Sequence, residues 1–339
     1  MFAFALAALT PLGLFAAGVW GGGYWAIAGL VYMTGFAAVM DKITGMFLGD
    51  SDNGRAFPAA DGLLVVLGLG AVALVPAVVW AVAASDLPIW ARVAIFLGAG
   101  LWLGQVANST AHELIHRQNP WLFRLGALVY SVLLFGHHTS AHRLVHHRHA
   151  ASRDDPNTAR FGEGYYHFFR RAWIGSFRSG WAAESKRRLT RQKGLHPYVW
   201  YIGVAGLCLI AGFMMAGVWG ALAWGALGLH AQSQLMLSDY VQHYGLERRQ
   251  LPDGRLEPVS IEHSWNAPHW FSSAYMLNAP RHSDHHAHPS RPYPALRLPN
   301  ADLAPTLPWP LPVACMIALV PPLWKRAIRP HLKPWRLPA

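Results

Sequence analysis

Apolar positions run along this chain in long unbroken stretches, not in the alternating or 3.6-residue rhythm of a soluble core. Met1 to Met40 contains no Asp, Glu, Lys, Arg or His, and Gly21-Gly22-Gly23 divides it into two runs of spanning length. They predict a helical hairpin. A basic start of the kind a signal peptide carries is missing, so the first run is read as a retained span. Further uncharged runs extend from Gly62 to Ser85 and from Val93 to Ala111. From Pro197 to Ser238, 42 residues lack Asp, Glu, Lys and Arg. At a rise of about 1.5 Å per residue, that is enough to cross about 30 Å of hydrocarbon twice. The pattern predicts an all-helical integral membrane protein of about six spans, near 3–20, 24–40, 62–83, 89–109, 198–216 and 219–238. Two other apolar stretches are not read as spans. Leu125 to Phe135 is too short, and Pro308 to Trp324 is interrupted by Pro310, Pro312, Pro321 and Pro322.

Composition agrees with a lipid solvent, since 53% of the 339 residues are hydrophobic and 13% charged, against roughly 25% charged in soluble domains. The net charge of +11 raises nucleic acid as a partner. Residues 142 to 196, however, hold 12 of the 28 Lys and Arg with only Asp154, Asp155, Glu163 and Glu184 against them. Positive charge gathered in one loop between spans marks the cytoplasmic side and fits topology and anionic lipid better than a groove for phosphates. The two cysteines, Cys208 and Cys315, both lie in apolar runs. They are too few for an iron–sulfur cluster or a zinc ribbon, so any electrons must come from another protein. No boundary separates a second domain, and residues 1–339 read as one unit with cytoplasmic segments 112–196 and 239–305.

Candidate chemistry enters with the 19 histidines. None precedes Ala111, and three clusters follow. In His112-Glu113-Leu114-Ile115-His116 the two imidazoles, four apart, share one helix face. Taken alone this is also the zinc-protease pattern. His142-Arg143-Leu144-Val145-His146-His147 and His282-Ser283-Asp284-His285-His286 each place one histidine before an adjacent pair. Neighbours on a helix point about 100° apart, so each doublet can offer one ring to each of two metals. A lone His-x-x-x-His is most simply a helix cap or an interface residue. Three clusters, all expected on one membrane side, supply eight rings where a zinc ion needs three or four. Imidazole-rich ligation suits iron, copper, zinc or nickel. The paired Glu-x-x-His motifs of soluble di-iron bundles are not met, since Glu113 with His116 is the one such pair.

These clusters resemble, in order and spacing, those of the membrane-bound alkane and xylene monooxygenases within the wider fatty-acid desaturase and hydroxylase superfamily. Closer to the alkane hydroxylase branch are Asp239-Tyr240-Val241-Gln242-His243-Tyr244-Gly245-Leu246, His263-Ser264-Trp265-Asn266, and Arg281 through Ala287 with Arg291 and Tyr293. Asp155-Pro156-Asn157-Thr158-Ala159-Arg160-Phe161-Gly162-Glu163-Gly164 is similar to the stretch after that branch's second cluster. The resemblance covers about two thirds of the chain, from the fourth span to Tyr293, and implies six transmembrane helices. It implies nine metal ligands, His112, His116, His142, His146, His147, His243, His282, His285 and His286, holding two non-haem irons. It gives His137, His263 and His269 roles as structural residues or as hydrogen-bond partners that orient ligands. The family commonly has Glu and Gly where this chain has Ala141 and Val145, and Glu where it has Gln242. Of the remaining histidines, His138 is four before His142 and could substitute as a ligand. His149, His167, His196, His230, His288 and His331 read as interface or surface residues.

By this resemblance the reaction is hydroxylation of an unactivated C–H bond, the terminal methyl of an n-alkane or alkyl-aromatic. It uses O₂ and two electrons from a rubredoxin or ferredoxin served by its reductase. The substrate partitions into lipid by about 0.8 kcal/mol per methylene and is expected to reach the site through an apolar channel. The basic face at Arg170, Arg171, Lys186, Arg187 and Arg188 could steer an acidic donor or meet lipid headgroups. The location expected is a bacterial-type inner membrane. Three rival readings stand beside this one: a lipid desaturase or hydroxylase with the same metal site, an intramembrane zinc protease using His112, Glu113 and His116, and a transporter or metal-binding membrane protein.

Overall fold

The structure, a computed structural model, describes residues 1–43, 57–191 and 194–335. Among the described residues it is helical with no named strand, and five helices are long and apolar enough to cross a membrane. These are α1 (Phe2–Gly21), α2 (Gly23–Ile43), α3 (Ala59–Ala83), α4 (Ile89–Ile115) and a 47-residue helix, Pro197–His243. Shorter helices complete the chain: α5 (Pro120–Val132), α6 (a turn-rich stretch over 138–149) and α7 (Tyr165–Arg191) precede the 47-residue helix, which we call α8. After it come α9 (Trp270–Tyr275), α10 (His282–Ala287), α11 (Leu311–Ala318) and α12 (Pro321–Leu332). The two apolar stretches not read as spans form the short helices α5 and α11.

Helix α8 is not straight. Ala216 and Gly217 leave the helical region, Gly217 at φ 58° and ψ −147°. Across that break Gly212 faces Gly220 so closely that a side chain on Gly212 would lie 2.7 Å from the Gly220 carbonyl oxygen. Residues eight apart in a continuous helix are about 12 Å apart along the axis, so the chain reverses here. The same device joins α1 to α2. Gly22 has φ 57° and ψ −142°, and a Cβ on Gly18 would meet the Ala26 backbone at 3.2 Å. A side chain other than hydrogen is strained at such dihedrals. The two halves of α8 therefore correspond to the fifth and sixth spans expected from the sequence.

Packing inside the bundle rests on small residues that let backbones approach, as is usual where lipid removes the hydrophobic drive between helices. The fully buried ring of Phe15 on α1 fills the space left by Gly29 on α2 and Gly98 on α4. Gly100 and Gly104 of α4 lie against His230 and the aliphatic stem of Gln234 on α8.

All three short connections gather at one end. Trp20 packs on Trp80 with ring centroids 5.4 Å apart, and Leu87 sits over Gly22. Val82, Arg92 and Trp219 line one groove there. The opposite end carries every histidine cluster. There Asp41, at the end of α2, accepts hydrogen bonds from the backbone N–H groups of Phe271 and Ser272 at 2.9 and 3.0 Å, pinning α9 to the bundle.

Candidate metal centre

Each cluster is delivered by a different piece of backbone. His112 lies on α4 and His116 caps it, one helix running through the membrane segment into the site with a widened π turn at Leu103–Ala107. The second cluster is itself a π turn, His142–His146. The third is a plain α-helical turn, His282–Ala287, and His243 ends α8. The third cluster is fixed by Asp284, which accepts from Arg291 Nη1 at 2.6 Å and from the Arg297 backbone N–H at 2.8 Å.

All nine predicted residues converge, in two groups. His112, His116, His142, His147 and His285 form one; His146, His243, His282 and His286 form the other, and within each group the candidate ligand atoms lie within 4.8 Å of one another. Each doublet is split between the groups. The Nε2–Nε2 distances are 3.1 Å for His116–His142, 3.1 Å for His116–His147, 2.9 Å for His142–His147 and 3.2 Å for His147–His285. In the second group they are 3.2 Å for His146–His286, 2.9 Å for His243–His282 and 3.1 Å for His282–His286.

These contacts cannot all be hydrogen bonds. A ring nitrogen either carries a proton and donates or lacks one and accepts. Among the three mutually adjacent Nε2 atoms of His116, His142 and His147, at least one pair must then be of like kind. A cation between them resolves the conflict, because every Nε2 can present its lone pair. The spacing fits as well: metal–nitrogen bonds of about 2.0–2.1 Å separate neighbouring ligand atoms by about 2.9–3.4 Å. The donor set thus suits a metal ion in each group.

Electrostatics favour neutral rings. His116, His142, His147, His282, His285 and His286 are all held well below the ordinary imidazole value of 6.5, first by burial and then by mutual repulsion with neighbouring histidines. A ring without its proton is the form a metal takes. His146 goes the other way. Burial opposes its charge, but the buried Asp155 carboxylate, 2.8 Å from Nδ1, outweighs burial and raises it. Asp155 also accepts from the Thr158 hydroxyl at 2.7 Å and the Asn157 backbone N–H at 3.0 Å. In the sequence Asp155 opens the stretch that follows the second cluster, with nothing local to give it this task. Its buried partner could be found only from the fold.

Glu113 belongs to neither group. Buried at 4% exposure, it accepts from the Tyr293 backbone N–H at 3.1 Å and pairs with Arg117 at 3.5 Å. Of the histidines outside the groups, His137 and His138 are buried among aromatic rings, the latter stacked on Phe135 at 5.0 Å. His263 closes a loop, its Nδ1 accepting from Ser260 N–H at 2.9 Å. His269 immediately precedes α9. His149, His167, His196, His230, His288 and His331 lie outside both groups.

Helices long and apolar enough to cross a bilayer, with two imidazole cages suited to metal ions at one end, point to the class of membrane proteins with a metal site, and the comparisons agree with that class. The fatty acid desaturase family model matches residues 87–314. Alkane 1-monooxygenase 1 of Pseudomonas aeruginosa is 31% identical over 323 residues, covering 91% of this chain and 84% of that protein. The alkane 1-monooxygenase of Pseudomonas putida is 33% identical over 270 residues, or 76% of this chain and 64% of the relative, and alkane 1-monooxygenase 1 of Alcanivorax borkumensis is 33% identical over 269 residues. The chain belongs to the alkane 1-monooxygenase family within the fatty acid desaturase superfamily.

Proposed function

We propose that this protein is an O₂-dependent, non-haem di-iron monooxygenase that hydroxylates an unactivated C–H bond of an alkyl substrate, such as the terminal methyl of an n-alkane. The observation that carries the reading is the convergence of nine rings into cages of five and four, in a chain of this family. All nine would be iron ligands. Iron would supply the reduction of O₂ and the attack on the C–H bond. The chain's own residues do the rest: they keep the liganding nitrogens free of protons, orient His146 through Asp155, and exclude water. Per turnover, one O₂, two electrons and two protons give one alcohol and one water.

Electrons would come from a rubredoxin or ferredoxin with its reductase. The basic helix α7 supports that partner, with one adjustment. Arg171 is occupied within the fold, donating to Glu163 at 2.8 Å and to the Pro156 and Thr158 carbonyls. Arg188 likewise donates to the Leu195 and Gly194 carbonyls, so the steering charge would rest on Arg170, Lys186 and Arg187. We further propose one domain over 1–339, six crossings of a bacterial inner membrane, and the cages on the cytoplasmic side.

The zinc-protease reading needs Glu113 beside the metal as a base, whereas Glu113 is engaged by Tyr293 and Arg117. The decisive experiment purifies the protein in detergent, measures iron per chain, and supplies an n-alkane panel with reduced rubredoxin or ferredoxin and ¹⁸O₂. Two irons and a singly labelled alcohol are expected. A desaturated product would move the protein to the lipid desaturases, and full activity without iron would end the proposal.

A further inference from the structure

A cavity of about 60 Å³ lies between the π turn of α4, the second half of α8 and α11, and it reaches His112 and His142 of one cage and His282 of the other. The sequence leads one to expect an apolar channel. One wall is indeed apolar, formed by Leu235, Met276, Leu311 and Cys315, but the facing wall carries amides, hydroxyls and Asp239. Buried polar groups facing hydrocarbon are costly unless something satisfies them, so where their hydrogen bonds go is informative.

Nearly all are consumed within the fold. Asn108 donates to the carbonyls of Gly104 and Ala231, Ser109 to that of Gln105, and Gln242 to that of Ala279. Ser238 donates to the Gln242 side chain, and Asp239 accepts from Asn157 at 2.6 Å. What remains is a short directed relay. The Tyr275 hydroxyl meets Gln105 Oε1 at 3.0 Å, and Gln105 Nε2 reaches Gln234 Oε1 at 3.5 Å. With its oxygen turned toward Gln105, Gln234 has an amide N–H₂ to offer, and among the described residues no acceptor meets it. The side chain is also fixed in place, since only a glycine at 104 leaves room for its stem.

We infer that this site selects an alkyl chain bearing one hydrogen-bond-accepting oxygen, held by the Gln234 amide, with the methyl end lying at the histidines. The inference rests on the hydroxylase reading and names its substrate class. From the Gly104 level of α4 to His112 is about 12 Å of helix, so a medium-chain primary alcohol would span the gap. Its terminal C–H becomes C–OH; one oxygen atom of O₂ enters the diol, and the other leaves as water with two protons and the two electrons of the reduced iron–sulfur donor. Gln234 is a binding residue, and Gln105 and Tyr275 position it.

The test compares octanol with n-octane on the iron-loaded protein. Initial rates with each, measured separately, are expected to give a kcat/KM about three- to tenfold higher for octanol, the worth of one hydrogen bond to a half-buried donor. Gln234→Met keeps the stem beside Gly104 and should bring the ratio near one, with iron content unchanged as the check on folding. Tyr275→Phe should lower the ratio by a smaller factor. A second readout is independent of turnover: retention of radiolabelled octanol over octane by the protein in detergent micelles, wild type against Gln234→Met. A wild-type ratio at or below one, or a ratio unmoved by Gln234→Met, overturns the inference. Retention of octanol that depends on Gln234, without turnover of either compound, supports the binding site and overturns the hydroxylase reading instead.

Discussion

The two cages are built from the same three histidine clusters yet differ in kind. The five-ring cage is partly open, with His112, His116 and His147 only half-buried, and the Nδ1 atoms of His142, His147 and His285 meet no protein partner. The four-ring cage is fully buried; its His286 Nδ1 is likewise without a protein partner, but His146 is backed by the Asp155 carboxylate. One cage has a ring to spare and little support; the other has none to spare and a carboxylate behind it. Redundancy and reinforcement are alternative ways of holding a metal, and here they stand side by side.

That contrast breaks most sharply under ligand removal. His286→Ala leaves three rings in the buried cage and should cost about one iron per chain and more than about 100-fold in activity, beyond what loss of an orienting partner costs. His112→Ala leaves four rings in the open cage and should retain both irons with a smaller loss. Metal analysis of the two variants decides, and equal iron loss would abolish the distinction. Next in size is Asp155→Asn, which should weaken iron in the buried cage by about 10–100-fold and leave the open cage unchanged, as read by chelator competition.

The smallest effect concerns the loop that delivers Asp155. Burial would raise the Glu163 carboxyl, but hydrogen bonds from Arg171, the Arg160 backbone and His167 outweigh it and bring it down to about 2. A carboxyl depressed in this way stabilises the fold above its ordinary value of 4.5 and loses that contribution as pH falls toward about 2. Glu163→Gln should therefore lower Tm at neutral pH, with the gap to wild type closing below pH 4.5. A gap independent of pH would show that the ion pair is not what anchors the loop.

Much of this was legible in the sequence because it depends on composition and spacing. Uncharged runs located the helices within a few residues, and Gly21 to Gly23 marked the first reversal. The doublets pointed to two separate groups of rings, since adjacent residues on a helix diverge. Helical periodicity misleads at the second cluster, however. In an α-helix His142 would share a face with His146, four residues on. The π turn instead brings His142 to His147, 2.9 Å apart, and sends His146 to the other cage. No local signal in the sequence distinguishes those two windings. Asp155 behind His146, Glu113 under Tyr293 and the amide wall beside α11 were hidden for another reason. Each joins residues far apart in the chain, and only the packed bundle brings them together.

The glycine reversals at Gly22 and Gly217, with the brief link at 84–88, are all that the described chain displays at the end remote from the histidines. A protease or membrane-impermeant label applied from that side would find almost nothing to modify. In the proposed reaction the reductant, the protons consumed and the water released would all exchange at the opposite face, so any inhibitor meant to act from solvent has a single surface to address.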